Sequence, residues 1–212
     1  YKLPPIILGG KINLIKRYNS KFKNIELTPE ETREFFRKER WNTIVGFHTR
    51  NPPHRAHEFI QKAALEMVDG LFIHPVIGRK KPGDFESEVI INCYKILIDK
   101  FYPKGKVLLS ALSTYSRYAG PREAIFTGLV RKNYGSPHFI VGRDHTGVGN
   151  YYGKYDSHKL YREFQEELGI TPLYFHGQKY CKTCNWITTD KVCPHSDEEK
   201  LEISGTEIRN RI

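Results

Sequence analysis

The sequence lacks several features that would place it in a special class of proteins. It has no apolar run near the roughly 20 residues of a membrane-spanning helix, and no signal-peptide pattern opens it. It has no internal repeat and no low-complexity segment. Its 4 cysteines, three of them clustered, do not form the pattern of a disulfide framework. We therefore expect no membrane partner and a reducing compartment, the cytoplasm.

Acidic residues are outnumbered, because 34 lysines and arginines stand against 24 aspartates and glutamates and give a net charge of +10. This excess predicts an anionic partner. Nucleic acid is the general candidate, but a nucleotide together with a small oxyanion fits the charge equally well. The length of 212 residues fits one α/β domain, or one domain with a small appendage.

One stretch, residues 41–57, combines a strand, a tight turn and the start of a helix. Ile44, Val45 and Phe47 predict a short buried strand, which the two prolines at 52 and 53 end because proline cannot donate to a β-ladder. Apolar residues then recur at helical spacing over residues 59–68. Such a turn presents free backbone N–H groups and the positive end of a helix dipole to an anion. It also carries six side chains that donate hydrogen bonds: Thr49, Arg50, Asn51, His54, Arg55 and His57.

Strands and helices alternate along the rest of the chain. The predicted strands cover residues 70–77, 106–112, 138–141 and 171–175, and the predicted helices cover residues 86–102, 120–130 and 157–168. This alternation predicts a parallel sheet with helices on both faces, and a ligand site at the carboxyl ends of the strands near the switch in strand order. Upstream, residues 11–18 form a weak strand pattern, and Thr28 caps a helix that opens at Pro29. The inward residues of the 86–102 helix are predicted to be Val89, Ile90, Cys93, Ile96 and Leu97.

A glycine-rich loop, residues 142–149, follows the strand at 138–141 and holds three glycines among eight residues. This composition suits a backbone that approaches a ligand closely. Taken alone, a loop of this kind is more often a simple turn.

Three cysteines near the end of the chain have the spacing of zinc ligands. Cys181 and Cys184 form a Cys-x-x-Cys pair, and Cys193 follows on the same short loop. His195 is the nearest candidate for a fourth ligand, with His176 and Asp197 as alternatives. The set leaves no open coordination position, so it predicts a structural metal and not a catalytic one; the alternative is three free thiols. Cys93 is expected to be inert on a core face.

Two segments resemble the signatures of the ATP sulfurylase (sulfate adenylyltransferase) family. Residues 48–57 read His-Thr-Arg-Asn-Pro-Pro-His-Arg-Ala-His, which matches the family's Q-T-R-N-P-x-H-R-A-H except that His48 replaces glutamine. Residues 141–149 are similar to V-G-R-D-H-x-G-x-G, with Thr146 where the family usually has alanine. Residues 81–84, 117–124 and 132–135 also resemble sequence segments of this family. The resemblance spans roughly residues 25 to 212 and is specific.

The resemblance implies a parallel-sheet nucleotidylyltransferase domain of the HUP, Rossmann-like type. It implies that residues 1–40 are the tail of an N-terminal PUA-like domain with a linker helix. Residues 41–212 then form the catalytic domain, with a zinc loop at 181–195. The chain is thus expected to be a fragment, and the whole protein a homo-oligomer. Mg²⁺ bound with ATP and structural Zn²⁺ are the implied cofactors.

The implied reaction joins ATP and sulfate to give adenosine 5′-phosphosulfate and pyrophosphate. The resemblance gives catalytic roles to Thr49, Arg50, Asn51, His54 and His57. It places sulfate against Arg50, Thr146, Arg143 and His48. It places the nucleotide against His48, Thr49, Arg50, Asn51, Gly142, Arg143, Asp144 and His145. Residues 203–209 are similar to a family segment that touches the triphosphate, although an ordinary capped helix explains them equally well.

Two other functions fit parts of the pattern. One is an adenylyltransferase that uses another oxyanion or a phosphorylated acceptor. The other is a basic, zinc-containing nucleic-acid-binding module, which predicts a salt-dependent affinity for DNA or RNA. The second leaves the histidine signature unexplained, so we expect no nucleic acid among the partners.

Overall fold

The computed structural model describes residues 9–16, 20–80, 82–143 and 151–203. The helices are α1 (Pro29–Lys38), α2 (Arg55–Leu65), α3 (Ser87–Phe101), α4 (Pro121–Asn133), α5 (Asp156–Glu163) and α6 (Gln165–Leu168), with a 3₁₀ turn at Asp197–Glu199. The strands are β1 (Ile44–Thr49), β2 (Gly70–Pro75), β3 (Val107–Leu109), β4 (His138–Val141), β5 (Thr171–Tyr174), β6 (Gln178–Cys181), β7 (Trp186–Thr189) and β8 (Lys200–Glu202).

The five strands β1 to β5 form one sheet in the order β3-β2-β1-β4-β5. Every neighbouring pair in it is parallel; Phe47 lies opposite Ile73 in β2, and Val45 lies opposite His138 in β4. The strand order reverses between β1 and β4, because the chain moves outward through β2 and β3 and then returns to the other side of β1. The predicted parallel α/β sheet is confirmed.

Alternating residues of the sheet face two separate cores. Val45, Phe47 and Ile73 contact the α2 and α3 side, where Ile60 and Ile90 are buried. The opposite face carries two clusters. Phe36 of α1 and Trp41 pack there with Ile44, Phe72 and Leu108, and Ala124 of α4 and Tyr161 of α5 pack there with Phe139 and Val141. Helices therefore cover both faces, as a parallel sheet requires.

Helix α1 begins as the sequence predicts. The Thr28 hydroxyl accepts the backbone N–H of Glu31, and the Glu31 carboxylate accepts the backbone N–H of Thr28, which completes a capping box ahead of Pro29. Phe36 then anchors the helix on the sheet at 3% exposure. This contact ties α1 to the sheet, while the domain boundary predicted at residue 40 stays a prediction.

Three local predictions were wrong in detail. On α3, Val89 and Ile96 are 46% and 55% exposed, and the buried residues include Ile91 and Tyr94. The helix is apolar on more than one stripe, so spacing alone did not identify its inner face. The predicted helix 157–168 is interrupted at Phe164, between α5 and α6. Residues 11–16 form no strand, and residues 17 and 18 of that prediction lie outside the described ranges.

A fully buried arginine connects α4 to strand β2 of the sheet. Arg131 donates to the backbone carbonyl of His74 at 2.7 Å and to that of Thr127 at 3.2 Å. Burial lowers the pKa of its guanidinium to about 9, so the group stays charged at neutral pH. A Cβ at Gly46 would lie 2.9 Å from Cγ of Arg131, so glycine there leaves the arginine its room.

A second, antiparallel sheet of order β7-β6-β8 follows the main one. The β6–β7 hairpin faces α2 across a groove lined by Phe59, Lys62, Tyr180 and Trp186. Within the described ranges, no helix is both long enough and apolar enough to cross a membrane.

Candidate active site

The two predicted ligand loops leave neighbouring strands at the point where the strand order reverses. The turn at residues 50–54 follows β1, and Gly142 follows β4, which pairs directly with β1. Ligands of open parallel sheets bind at this reversal. The sheet topology thus brings together segments about 90 residues apart in sequence.

Thr49 shapes the turn after β1. Its hydroxyl accepts the backbone N–H of Asn51 and donates to the carbonyl of the same residue, both at 3.1 Å. Thr49 itself is only 5% exposed. The immediate task of this hydroxyl is therefore to fix the loop between Thr49 and Asn51, while its predicted contact with nucleotide stays a prediction.

His54 and His57 stand together at the start of α2. Their rings stack with centroids 3.8 Å apart, and the His57 ring meets Phe47 at 5.4 Å. The two side chains therefore lie on the same side of the start of α2. His54 is the N-cap residue but makes no side-chain capping bond, and within the described ranges Nδ1 of each histidine is buried without a hydrogen-bond partner. These two Nδ1 atoms could therefore bind a ligand at the positive end of the helix.

Burial keeps both histidines neutral at physiological pH. Desolvation lowers the pKa of His54 to about 4. Desolvation, and then the nearby charge of His54, hold the pKa of His57 well below its usual range, against an opposing effect of the Pro52 carbonyl. A polyphosphate placed against the rings would favour the protonated form, because an adjacent anion raises the pKa of an imidazole.

Arg50 is held beside Asp84 and Tyr118. Its guanidinium lies 4.7 Å from the centre of the Tyr118 ring, and Nη1 lies 3.8 Å from Oδ1 of Asp84. The Arg50 and Asp84 side chains are 17% and 4% exposed. Within the described ranges Nη1 is buried and makes no hydrogen bond, so a strong donor is left over for a ligand.

Lys80 adds a second cation to this neighbourhood. Its ammonium donates to the Val76 carbonyl at 2.8 Å. Burial lowers the pKa of Lys80. The nearby charge of Arg50 lowers it further, while the carboxylates of Asp84 and Glu86 oppose the change. Sequence reasoning gave no role to Lys80, Asp84 or Tyr118. The only sequence signal for Asp84 and Tyr118 was that residues 81–84 and 117–124 resemble segments of the ATP sulfurylase family.

His48 lies at the carboxyl end of β1 and is half-buried. Its register partner on β2 is His74, which is fully buried against Tyr134 at a ring distance of 4.6 Å. Burial, and then the charge of Arg131, hold the pKa of His74 well below its usual range. Position 48 is therefore at the site, and its contact with sulfate stays a prediction.

Only part of the second loop falls within the described residues. A Cβ added at Gly142 would meet none of the described residues within 4 Å, so this glycine is not packed against the described part of the chain. Arg143 donates to the Glu202 carboxylate of β8 at 2.8 Å, so an incoming anion would compete with that pair. The predicted contacts Asp144, His145 and Thr146 lie outside the described residues, as does the segment after residue 203.

Cys181, Cys184, Cys193 and His195 converge at the tip of the second sheet. Their ligand atoms all lie within 4.8 Å of one another. Nδ1 of His195 is 3.3–3.5 Å from the three sulfurs, and the sulfurs of Cys184 and Cys193 are 3.9 Å apart. A tetrahedral zinc with bonds of about 2.3 Å to sulfur and 2.0 Å to nitrogen places its ligand atoms about 3.5–3.8 Å apart. These spacings fit a single zinc ion.

The chemistry of the cluster also fits a cation. The backbone N–H of Cys184 donates to Sγ of Cys181 and lowers the pKa of that thiol to about 7. The neighbouring sulfur of Cys181 in turn raises the pKa of Cys184 to about 11. Adjacent thiolates oppose each other's charge, which a divalent ion relieves.

The three candidates for the fourth ligand are now distinguished by position. His195 is in the cluster, whereas Asp197 pairs with Lys179 at 2.9 Å and the His176 ring lies against Tyr155 at 5.4 Å. In the described part of the chain no other group of three or more metal-binding side chains comes together.

The fold and the convergence of both loops at the strand-order reversal define a Rossmann-like α/β protein. The fold is shared with a solved chain titled hexameric APS kinase from Thiobacillus denitrificans, with a TM-score of 0.71 over 92% of this chain and 36% of that one. Sequence identity to that chain is 23%, so the comparison shows the fold alone.

The ATP-sulfurylase family model matches residues 23–212. The chain belongs to the ATP-sulfurylase family. Among curated relatives, the sulfate adenylyltransferase of Halothermothrix orenii is 53% identical over 99% of this chain and 55% of that protein. Those of Pyrococcus abyssi and Aeropyrum pernix are 49% and 50% identical over the whole of this chain and 56% and 55% of their own length. The chain therefore spans about half the length of the curated relatives it matches.

Proposed function

We propose that this chain carries the catalytic site of a sulfate adenylyltransferase, which converts ATP and sulfate into adenosine 5′-phosphosulfate and pyrophosphate. The observation that carries the proposal is the buried Arg50 Nη1, which makes no hydrogen bond in the described part of the chain. It lies on the turn that also leads into the stacked pair His54 and His57. The names of the curated relatives support the same reaction.

The chemistry explains why such a site needs cations and few other groups. Two unit charges 4 Å apart repel by about 4 kcal/mol at a near-surface effective dielectric, and sulfate and triphosphate each carry more than one. The site must neutralise charge first and position the reactants second. Arg50 binds the sulfate, together with His48, Arg143 and the backbone at Thr146.

The reaction proceeds by in-line displacement at the α-phosphorus. A sulfate oxygen forms a bond to the α-phosphorus, while the bond from that phosphorus to the bridging oxygen breaks and its electron pair leaves with pyrophosphate. His54 and His57 donate their ring N–H groups to the departing pyrophosphate. Thr49 and Asn51 hold the turn against the nucleotide, which Gly142, Asp144 and His145 also line. No covalent nucleophile takes part.

The metals have separate tasks. When bound with ATP, Mg²⁺ neutralises part of the triphosphate charge and is held mostly by phosphates and water. Zn²⁺ at Cys181, Cys184, Cys193 and His195 stabilises the second sheet. Cysteines without disulfide bonds suit the cytoplasm, and the complete protein is a homo-oligomer that binds neither nucleic acid nor membrane.

The test is pyrophosphate release by the complete protein with ATP and Mg²⁺. Release should require sulfate and be absent without an acceptor. Release that occurs only with a phosphorylated acceptor would replace the proposal by another adenylyltransferase. Tight, salt-dependent binding of DNA or RNA without any sulfate-dependent release would favour the nucleic-acid module.

His48 gives a test of how sulfate is held. If its ring N–H touches the dianion, bound sulfate favours the protonated imidazole, so affinity is highest at low pH and falls as the ring loses its proton. The KM for sulfate should therefore rise severalfold between pH 6 and 9. His48→Gln should flatten this profile and retain activity, because the amide donates at any pH. Parallel profiles for the two proteins would show that His48 only packs at the strand end.

A further inference from the structure

Arg50 and Asp84 form a buried pair of opposite charges that has not closed into a hydrogen bond. Their nearest atoms, Nη1 and Oδ1, are 3.8 Å apart, and in the described part of the chain neither atom has a hydrogen-bond partner. A guanidinium and a carboxylate at this separation normally move together to an N···O distance of about 2.8 Å, because a charge-assisted hydrogen bond is far stronger than an ion pair without one. Something must keep this pair open.

Tyr118 contacts both members of the pair. Its ring lies beside the Arg50 guanidinium at 4.7 Å, and its hydroxyl donates to the other oxygen of Asp84, Oδ2, at 3.1 Å. The tyrosine therefore occupies one face of the cation and one oxygen of the carboxylate together. Both contacts resist a movement of Arg50 and Asp84 toward each other.

Tyr118 is itself held in an unfavourable backbone conformation. Its φ of 56° lies in the left-handed region, which a bulky residue adopts only when its surroundings impose it. The buried Glu123 at the start of α4 supplies this constraint, since its carboxylate accepts the backbone N–H of Arg117 at 2.8 Å and of Ala119 at 3.1 Å. Glu123 thus fixes the residues on both sides of Tyr118.

We propose that Tyr118 is a positioning residue that keeps Arg50 apart from Asp84, so that the guanidinium remains available to the oxyanion substrate. The inference rests on the proposed function, in which Arg50 binds sulfate. Asp84 keeps the cation in place by charge attraction across 3.8 Å, and Tyr118 prevents the two from forming a bidentate pair that would exclude sulfate. Without the ring, Arg50 is expected to close onto Asp84.

The experiment compares Tyr118→Leu with the double variant Tyr118→Leu/Asp84→Asn. Tyr118→Leu should raise the KM for sulfate about tenfold and leave the KM for ATP within about twofold, because closure of the Arg50–Asp84 pair withdraws the guanidinium from sulfate. The double variant should recover most of the sulfate affinity, because asparagine has no charge to draw Arg50 away. A residue with a purely structural role would not be rescued by a second substitution in its own contact.

The matched control is Tyr115→Leu. Tyr115 lies on the same loop, stacks on Arg117 at 4.6 Å and is 52% exposed, so its loss should leave the KM for sulfate unchanged. An unchanged KM in Tyr118→Leu, or a double variant weaker than the single one, would overturn the inference while the proposed function stands.

Binding of labelled sulfate, measured with an ATP analogue whose α,β bridging oxygen is replaced by a methylene group, separates the two ideas. Binding that depends on Tyr118 in a protein without sulfate-dependent turnover would support the inference and remove the proposed function. No binding to the unaltered protein would overturn both.

Discussion

Replacing Arg50 by lysine or by alanine is expected to lower sulfate-dependent pyrophosphate release by about 10²–10³-fold or more, as when a principal oxyanion donor is removed. A lysine keeps the charge but loses the planar fork that matches an oxyanion and stacks on the Tyr118 ring. The fold should survive, because Arg50 lies on a turn outside the sheet and belongs to none of the four apolar clusters found among the described residues. Steady-state release at saturating ATP, with circular dichroism of each variant, measures both effects.

The control for Arg50 is Arg37→Lys. Arg37 is an exposed arginine in the last turn of α1, so the same substitution there should leave release unchanged. Near-normal activity of Arg50→Ala with an unchanged circular dichroism spectrum would show that Arg50 does not bind sulfate. The proposed reaction would then lose its main support.

The order of strands and helices could be predicted because local signals repeat along this chain. Strand β4 was predicted with its observed ends, His138–Val141, since a short apolar run there lies between polar turns. Helix α1 was predicted from Thr28, Pro29 and Glu31, because a capping box acts within one helical turn. The burial of α3 was missed at Val89 and Ile96, where the inner face depends on which helix and strands lie opposite.

The candidate site was predictable only where its residues are neighbours in sequence. The turn from Thr49 to His57 is one continuous motif, so its donors could be named together. Asp84 and Tyr118 reach Arg50 from loops about 34 and 68 residues further on, and no spacing rule connects them. Long-range contacts of this kind follow from the folded arrangement of loops around the sheet.

For the cysteine cluster, a local motif identified three metal ligands but did not identify the fourth. Cys181, Cys184 and Cys193 could be grouped by spacing, but three candidates remained for the fourth position. The antiparallel pairing of β6 with β7 and with β8 brings His195 to the sulfurs and leaves His176 and Asp197 elsewhere. The choice therefore required the geometry of the second sheet.

Removing the metal proposed for this cluster should destabilise the protein strongly. Metal analysis of protein purified without chelator is expected to find about one zinc per chain. Because part of the binding free energy is folding free energy, chelation should lower the Tm by roughly 10 °C. Cys181→Ser should reproduce this loss, since Cys181 is fully buried in the cluster.

Cys93→Ser on α3 is the matched control. Cys93 is a half-buried cysteine outside the cluster, so its substitution should change neither the zinc content nor the response to chelator. Because the β6–β7 hairpin faces α2 across the groove at Phe59 and Trp186, hydrogen exchange in α2 should also increase after chelation. A preparation that contains no zinc, or whose Tm does not respond to chelator, would show that the three cysteines and His195 are held together by the second sheet alone.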